Sequence, residues 1–493
     1  MKRLLLALPL ALLLAAPAAR EAARLSAASD DAPAAVLPVP TPQQLKWHAL
    51  EYYGFVHFTV NTFTDKEWGY GDEPESVFAP TALDARQWAR VAREAGMKGL
   101  ILTAKHHDGF CLWPSTLTEH SVTRSPWRDG KGDVVAEFVK ACRAEGLLVG
   151  LYLSPWDRNH AEYGRPAYLD YYRAQLRELL TNYGELFEVW FDGANGGDGY
   201  YGGARETRRI DNRAYYQWPD TWSLVRQLQP NAVMFSDAGP DVRWVGNEKG
   251  LGFETTWYGL DRQSTYPGDP AYANTLATGR IDATDWVPPE VDVSIRPGWF
   301  YHPAEDDTVK SVDQLMEIYY ASVGRGTTLL LNVPPDRRGL FHETDVERLR
   351  GFRQAIDRTF RRDVAREAHA TSASVRGKTG RFAPARANDG DVSTYWATPD
   401  GQTAADLELA WKAPVVFDRV VLQEHIALGQ RVQGWRVEAE VAGRWVPVAE
   451  GTSIGYKRIA RGARVKTSRV RISITQARAC PAISTVALYD SQG

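Results

Sequence analysis

Two acidic residues carry the first chemical signal in this chain. Asp192, in "EVWFDGANGG", ends an apolar, tryptophan-containing run and opens a glycine-rich loop. Glu248, in "RWVGNEKG", lies on a later loop close to Trp244. Paired carboxylates suit cleavage of a glycosidic bond, where one group attacks or activates water and the other protonates the leaving oxygen. Each acid taken singly also suits a turn cap or a solvated loop residue. A third acid, Glu290 in "WVPPEVDVSI", starts a strand-like run and is expected to point toward the opposite, structural end.

The stretch "LTAKHHDGF" adds His106 and His107, and "FVHFTVN" adds His57. Three histidines invite a zinc reading. Adjacent side chains, however, leave an extended segment on opposite sides and seldom converge on one ion. Together with Glu67 and Trp68 of "TDKEWG", the imidazoles offer donors, acceptors and a flat apolar wall. A sugar ring, with hydroxyls on its edge and C–H groups on its face, asks for that combination. Sugar-gripping side chains are therefore the expectation, with no catalytic metal, and one of the three histidines could instead be a satisfied core residue.

These residues need a scaffold. Eight apolar runs read as strands: 54–60, 99–103, 148–153, 187–191, 232–236, 252–257, 291–295 and 328–333. Amphipathic stretches such as "DARQWARVAREAGM", "DVVAEFVKACRAEG" and "SVDQLMEIYYASVGRG" lie between them, opening on Asp or Ser and closing on Gly as helix caps do. Alternating strands and helices predict an α/β fold, a (β/α)8 TIM barrel over residues 43–361, whose chemistry sits on the loops after the strands. The unusual residues fall on those loops. From residue 366 to 493 the texture turns to short alternating runs, the pattern of an all-β sandwich. The segment "GGDGYYGGARETRRIDNRAYYQW" after Asp192 is long, and loops on this face of a barrel shape substrate subsites.

The bounds agree. A chain of 493 residues with 44% hydrophobic and 24% charged composition supports two globular domains. Its formal charge of −3 lacks the basic excess of a nucleic-acid binder, and no internal run is long enough to span a bilayer. Lys2 and Arg3, the apolar run 4–16 and the site Ala16-Pro17-Ala18 predict a signal peptide over residues 1–18. The mature chain is then exported, to the periplasm or the extracellular medium. Residues 19–42, rich in Ala, Pro and Asp, read as a flexible leader. Three scattered cysteines, Cys111, Cys142 and Cys480, allow at most one disulfide.

At this point the motifs "HFTVNTFTDKEWGYG", "AKHHDGFCLWPS", "GLYLSPWDR", "VWFDGANG", "RWVGNEKG", "EVDVSIRPGWFYH" and "LLLNVPPDRRGL" together resemble α-L-fucosidases of glycoside hydrolase family 29, from about Trp47 to Arg361. The resemblance implies an exo-acting retaining hydrolase of terminal α-L-fucose on fucosylated glycans, needing no cofactor. Matched to the family, Asp192 is the nucleophile, and His57, Glu67, Trp68, His106, His107 and Tyr152 hold fucose. Trp299 matches the aromatic wall near the C-5 methyl. "RWVGNE" and "DVSIRPGWF" resemble the subgroup that favours α-1,3/1,4-linked fucose, in which Glu248 matches the acid/base. The alternatives on the same barrel are a transfucosidase, another retaining exo-glycosidase, or a non-catalytic sugar binder. The C-terminal domain, with "ANDGDVSTYWAT", resembles discoidin-like (F5/8 type C) sandwiches of carbohydrate-binding modules. There Asn388, Asp389 and Asp391 offer oxygen donors for a structural Ca²⁺, with a plain Asx turn as the competing reading.

Overall fold

The computed structural model describes residues 30–193, 196–270 and 276–493. The signal peptide, leader residues 19–29 and Ala194-Asn195 of the glycine-rich loop lie outside the described residues. The chain divides into two compact units: residues 38–359, and residues 360–493 together with the N-terminal segment before residue 38. Among the described residues, no helix is long and apolar enough to cross a membrane.

The first unit is a closed barrel of eight parallel strands. They are β1 (Tyr52–Val56), β2 (Gly99–Lys105), β3 (Leu148–Leu153), β4 (Glu188–Trp190), β5 (Val233–Ser236), β6 (Val242–Trp244), β7 (Pro289–Ser294) and β8 (Thr328–Asn332). The sixth strand corrects the sequence expectation. Residues 252–257 form no strand, and Val242–Trp244, expected within a loop, pair with both β5 and β7. A strand of three residues shows too little alternation to be read locally; its neighbours on either side create it.

The helices obey their caps. Asp84 accepts the N–H of Arg86 at the start of α3 (Ala85–Glu94), and Asp133 accepts that of Ala136 at the start of α4 (Val134–Ala144). Ser311 and Gln314 close a capping box on α7 (Val312–Ala321). Other helices among the described residues of this unit are α1 (Pro42–His48), the short α2 (Val60–Thr64), α5 (Pro166–Asn182), α6 (Trp218–Leu228) and α8 (Glu343–Thr359).

Alternate residues of each strand point into the barrel, so the interior is layered. In the lower layer, Trp47 of α1 donates from Nε1 to Tyr53 OH at 2.9 Å and to Glu188 Oε2 at 3.2 Å. Glu290 lies here, fully buried, as its place at the start of β7 predicts, taking the Trp190 Nε1–H at 2.8 Å and the hydroxyl of Tyr53. Burial raises the pKa values of Glu188 and Glu290, so a proton is retained in this buried pair. Above it, Phe55, Tyr152, Trp190 and Phe235 form an aromatic floor, with Trp190 stacked on Phe235 at 4.2 Å.

The C-terminal unit is a seven-stranded antiparallel sheet folded into a sandwich, built from β9 (His369–Thr371), β10 (Trp396–Ala397), β11 (Ala405–Glu424), β12 (Val432–Val441), β13 (Arg444–Gly451), β14 (Arg458–Ala477) and β15 (Ala482–Tyr489). Irregularities between Ala410 and Arg419 bend the long β11 so that one hydrogen-bonded sheet encloses a core around Trp396, Phe417 and Trp435. Residues 30–37 depart from the flexible-leader expectation. The Asp30 carboxylate accepts the N–H groups of Lys378 and Thr379, Arg376 donates to Asp31 O at 2.6 Å, and buried Arg431 donates to Ala34 O. An Ala/Pro-rich segment offers carbonyls, and these arginines collect them. Thr41 and Gln44 then cap α1, which starts on Pro42. The three cysteines are unpaired and buried.

The calcium expectation finds no support in local geometry. Asn388 turns inward, donating to Ala365 O at 2.7 Å and Ala368 O at 3.2 Å. Asp389 accepts from Asp391 N and Thr394 Oγ1, and Asp391 accepts from Ser393 N and Oγ. The backbone contacts of the two aspartates are turn caps of the Asx type.

Candidate active site

A cavity of about 340 Å³ opens above the aromatic floor at the C-terminal ends of the strands. The inward alternation of the strands continues past their ends to furnish its walls. His57 stands two residues beyond Phe55, Asp192 two beyond Trp190, and Asp237 two beyond Phe235; all three line the cavity, as does Asp292 within β7. Strand periodicity thus carries polar groups onto the rim at the places where the core supplied aromatic ones.

Asp192 is held by Tyr152, whose hydroxyl donates to Oδ2 at 3.1 Å, and His107 Nε2 stands 4.0 Å from the same oxygen. Gly193 has to be glycine, since a Cβ there would lie 2.0 Å from Asp237 Oδ2.

Two histidines have assignable tautomers. Ser154 donates its hydroxyl to Trp156 O at 2.6 Å, so it accepts the Nδ1–H of His107 at 2.7 Å. Asn332 donates from its amide to Ser294 Oγ and Trp299 O, so its Oδ1 accepts the Nδ1–H of His57 at 2.8 Å. Both rings therefore carry their Nε2 lone pair free to accept a hydroxyl. Burial pushes His57 down to about 3 and His107 to about 4, which keeps them neutral. His106 is held well below its usual range by burial and by His107, and its Nδ1 is buried without a partner among the described residues.

His106 and His107 both line the cavity, with ring centroids 4.0 Å apart, against the expectation that neighbours emerge on opposite sides. An irregularity in β2 between Thr103 and Lys105 breaks the alternation. It sends Lys105 away to a buried pair with Asp157 at 3.0 Å and leaves the following imidazoles aimed at the cavity.

Glu248 lies on the loop after β6. Trp299 Nε1 donates to its Oε2 at 3.2 Å, and burial, together with the charges of Asp192 and Glu67, raises its pKa despite that bond. Trp299 also packs 5.1 Å from His57. Trp68, 53% exposed, forms the outer wall edge-on to His107 and Trp156.

Glu67 stands outside the cavity wall. Its carboxylate takes the N–H groups of Trp299 and Phe300 at 2.8 and 3.1 Å and bonds His302 Nε2 at 2.6 Å, so it sets the loop that presents Trp299.

Sequence reasoning missed two cavity acids. Asp237 accepts the N–H of Gly268 at 3.1 Å, and burial and the Asp192 charge push it up to about 7. Asp292 accepts Trp244 Nε1–H at 2.8 Å and is pushed well above the carboxylate range by burial, Glu248 and Glu290. The period-two continuation beyond Phe235 was the available signal for Asp237.

A TIM barrel whose mouth gathers several carboxylates, neutral imidazoles and tryptophans over an aromatic floor is the architecture of a glycoside hydrolase. The family model described as alpha-L-fucosidase matches residues 39–356, and that of the F5/8 type C domain matches residues 368–486. Alpha-L-fucosidase 1 of Arabidopsis thaliana is 44% identical over 93% of this chain and 88% of its own length. A glycoside hydrolase 29 family member from an unknown rumen bacterium is 45% identical, with a TM-score of 0.83, covering 93% of this chain and 78% of that one. A Ruminococcus gnavus GH29 fucosidase in complex with fucose is 32% identical, with a TM-score of 0.83, over 94% and 97% of the two chains. The chain belongs to the α-L-fucosidase family and is a glycoside hydrolase with α-L-fucosidase activity.

Proposed function

We propose that the enzyme is an exo-acting, retaining α-L-fucosidase that removes terminal α-1,3/1,4-linked fucose from branched glycans. The observation that carries this reading is the sharing of one sugar-sized cavity by Asp192, held by Tyr152, and Glu248, whose pKa is raised by burial. Asp192 attacks C1 of fucose as Glu248 gives its proton to the leaving oxygen and the C1–O bond breaks. Glu248 then takes a proton from water, whose oxygen attacks C1 and releases Asp192 and fucose with net retention. Retention calls for carboxyl groups about 5 to 5.5 Å apart.

His57, His106 and His107 hold the fucose hydroxyls, the first and last as acceptors through Nε2. Tyr152 orients Asp192, Trp68 and Trp299 face the ring and its methyl group, and Glu67 acts through the Trp299 loop. The N-terminal signal adds the proposal that the mature enzyme works outside the cytoplasm, which N-terminal sequencing of the cell-processed chain would check.

The test measures wild type, Asp192→Asn and Glu248→Gln on aryl α-L-fucoside, a Lewis-type trisaccharide and 2′-fucosyllactose, with azide added. Asp192→Asn should lose all three activities. Azide should rescue one variant with a fucosyl azide whose anomeric configuration matches the role. Near-normal trisaccharide cleavage by Glu248→Gln would move the acid elsewhere. Release of galactose in place of fucose from matched aryl glycosides would defeat the substrate reading.

A further inference from the structure

The long loops on one arc of the rim are joined behind the cavity. Asp237, after β5, lines the cavity on the arc between Asp192, after β4, and Glu248, after β6. Its carboxyl fills the space a side chain at Gly193 would need, and its Oδ2 takes the Gly268 N–H at 3.1 Å. The carbonyl of Gly268 accepts from Asn212 Nδ2 at 2.9 Å. Asn212 belongs to the Gly/Tyr/Arg-rich segment after Asp192, and its neighbour Arg213 lies over the Tyr266 ring at 5.7 Å. The chemistry assigned to Asp192 and Glu248 uses none of these groups.

The cavity has two sides. The histidines and Trp68 come from the β1 and β2 ends, where His57 and His107 present their Nε2 acceptors to the sugar that is removed, and Tyr152 of β3 holds Asp192. A leaving group departs on the side of the acid that protonates it, here Glu248. That side is the β5–β6 arc, where Asp237 stands. Burial and the charge of Asp192 favour the protonated form of Asp237, which can donate as well as accept.

We propose that Asp237 is a specificity-determining residue that hydrogen-bonds a hydroxyl of the sugar to which fucose is attached, with Asn212 as the positioning residue that holds it there through Gly268. The preferred leaving group is then a hydroxylated sugar and not an apolar aglycone. This inference rests on the fucosidase reading with Glu248 as acid, and wild-type hydrolysis of aryl α-L-fucoside is the control that reports on that reading separately.

The experiment measures kcat and KM for wild type, Asp237→Ala, Asp237→Asn and Asn212→Ala on aryl α-L-fucoside and on a branched fucosyl trisaccharide, with thermal midpoints as a folding check. Asp237→Ala should lose about tenfold more kcat/KM on the trisaccharide than on the aryl fucoside, because a hydrogen-bonding site rejects what it can no longer pair. Asp237→Asn, which can still accept from Gly268, should recover much of that difference. Asn212→Ala, which stands outside the cavity, should raise KM for the trisaccharide several-fold and leave aryl-fucoside kinetics within about twofold. Equal losses on both substrates would make Asp237 a structural prop and overturn the proposal. Unchanged trisaccharide kinetics in Asp237→Ala would overturn it as well.

Discussion

At the scale of single residues, the site runs on protonation states that burial sets. The histidines are neutral because water is excluded from them, and the Nδ1 partners of His57 and His107 turn Nε2 toward the cavity. Glu248 is biased the other way, toward its protonated form. An acid catalyst works only while it holds its proton, so activity should persist above the ordinary carboxylate range and fall as pH climbs past the raised pKa of Glu248. The pH dependence of kcat/KM should show that alkaline limb, and Glu248→Gln should abolish it while lowering kcat/KM on the trisaccharide by about 10² to 10⁴. A limb that survives the substitution would belong to another group, with Asp237 the first to examine.

At the scale of elements, the barrel strands do more than support the loops. The same alternation that buries Phe55, Trp190 and Phe235 delivers His57, Asp192 and Asp237 two residues later. Gly193 tests how tightly this is set. Substitution by Ala would drive a methyl group into the Asp237 carboxyl, so the Asp192 loop or Asp237 must shift. Gly193→Ala should lower kcat by about 10²-fold, the scale of an ångström misplacement at a reacting group, while far-ultraviolet circular dichroism stays that of the wild type. The sequence made seven of the eight barrel strands and the capped helices legible, because their apolar runs and Asp, Ser and Gly caps are local signals. It hid β6, whose three residues depend on β5 and β7, and it hid the β2 irregularity that brings both His106 and His107 to the cavity.

At the scale of the whole molecule, buried titratable groups shape stability against pH. The imidazoles of His57 and His107 have folded pKa values below the unfolded value near 6.5, so the unfolded chain binds more protons there. Their contribution is present above about pH 6.5 and is lost as pH falls toward the folded values. The Glu188–Glu290 pair has the opposite sign: its folded pKa values are raised, so stability falls as pH rises above the unfolded carboxylate range. A thermal midpoint measured across pH should therefore pass through a maximum, and Glu290→Gln should flatten its alkaline side. In the C-terminal unit, where Asn388 turns inward to backbone carbonyls and Asp389 and Asp391 cap turns, chelator treatment should leave the thermal midpoint unchanged; a fall restored by Ca²⁺ would reinstate an ion at that loop.

By itself the sequence determined the two-domain plan, the barrel, the sandwich, and the candidate pair Asp192 and Glu248, since caps, apolar period and motifs in chain order are properties of short segments. Only the tertiary structure decided that Glu67 serves the Trp299 loop and that Asp237 and Asp292 join the cavity. It also decided that residues 30–37 are held by Arg376 and Arg431. Each of these rests on hydrogen bonds or packing between residues far apart in the chain, and no local pattern of residue types carries that information.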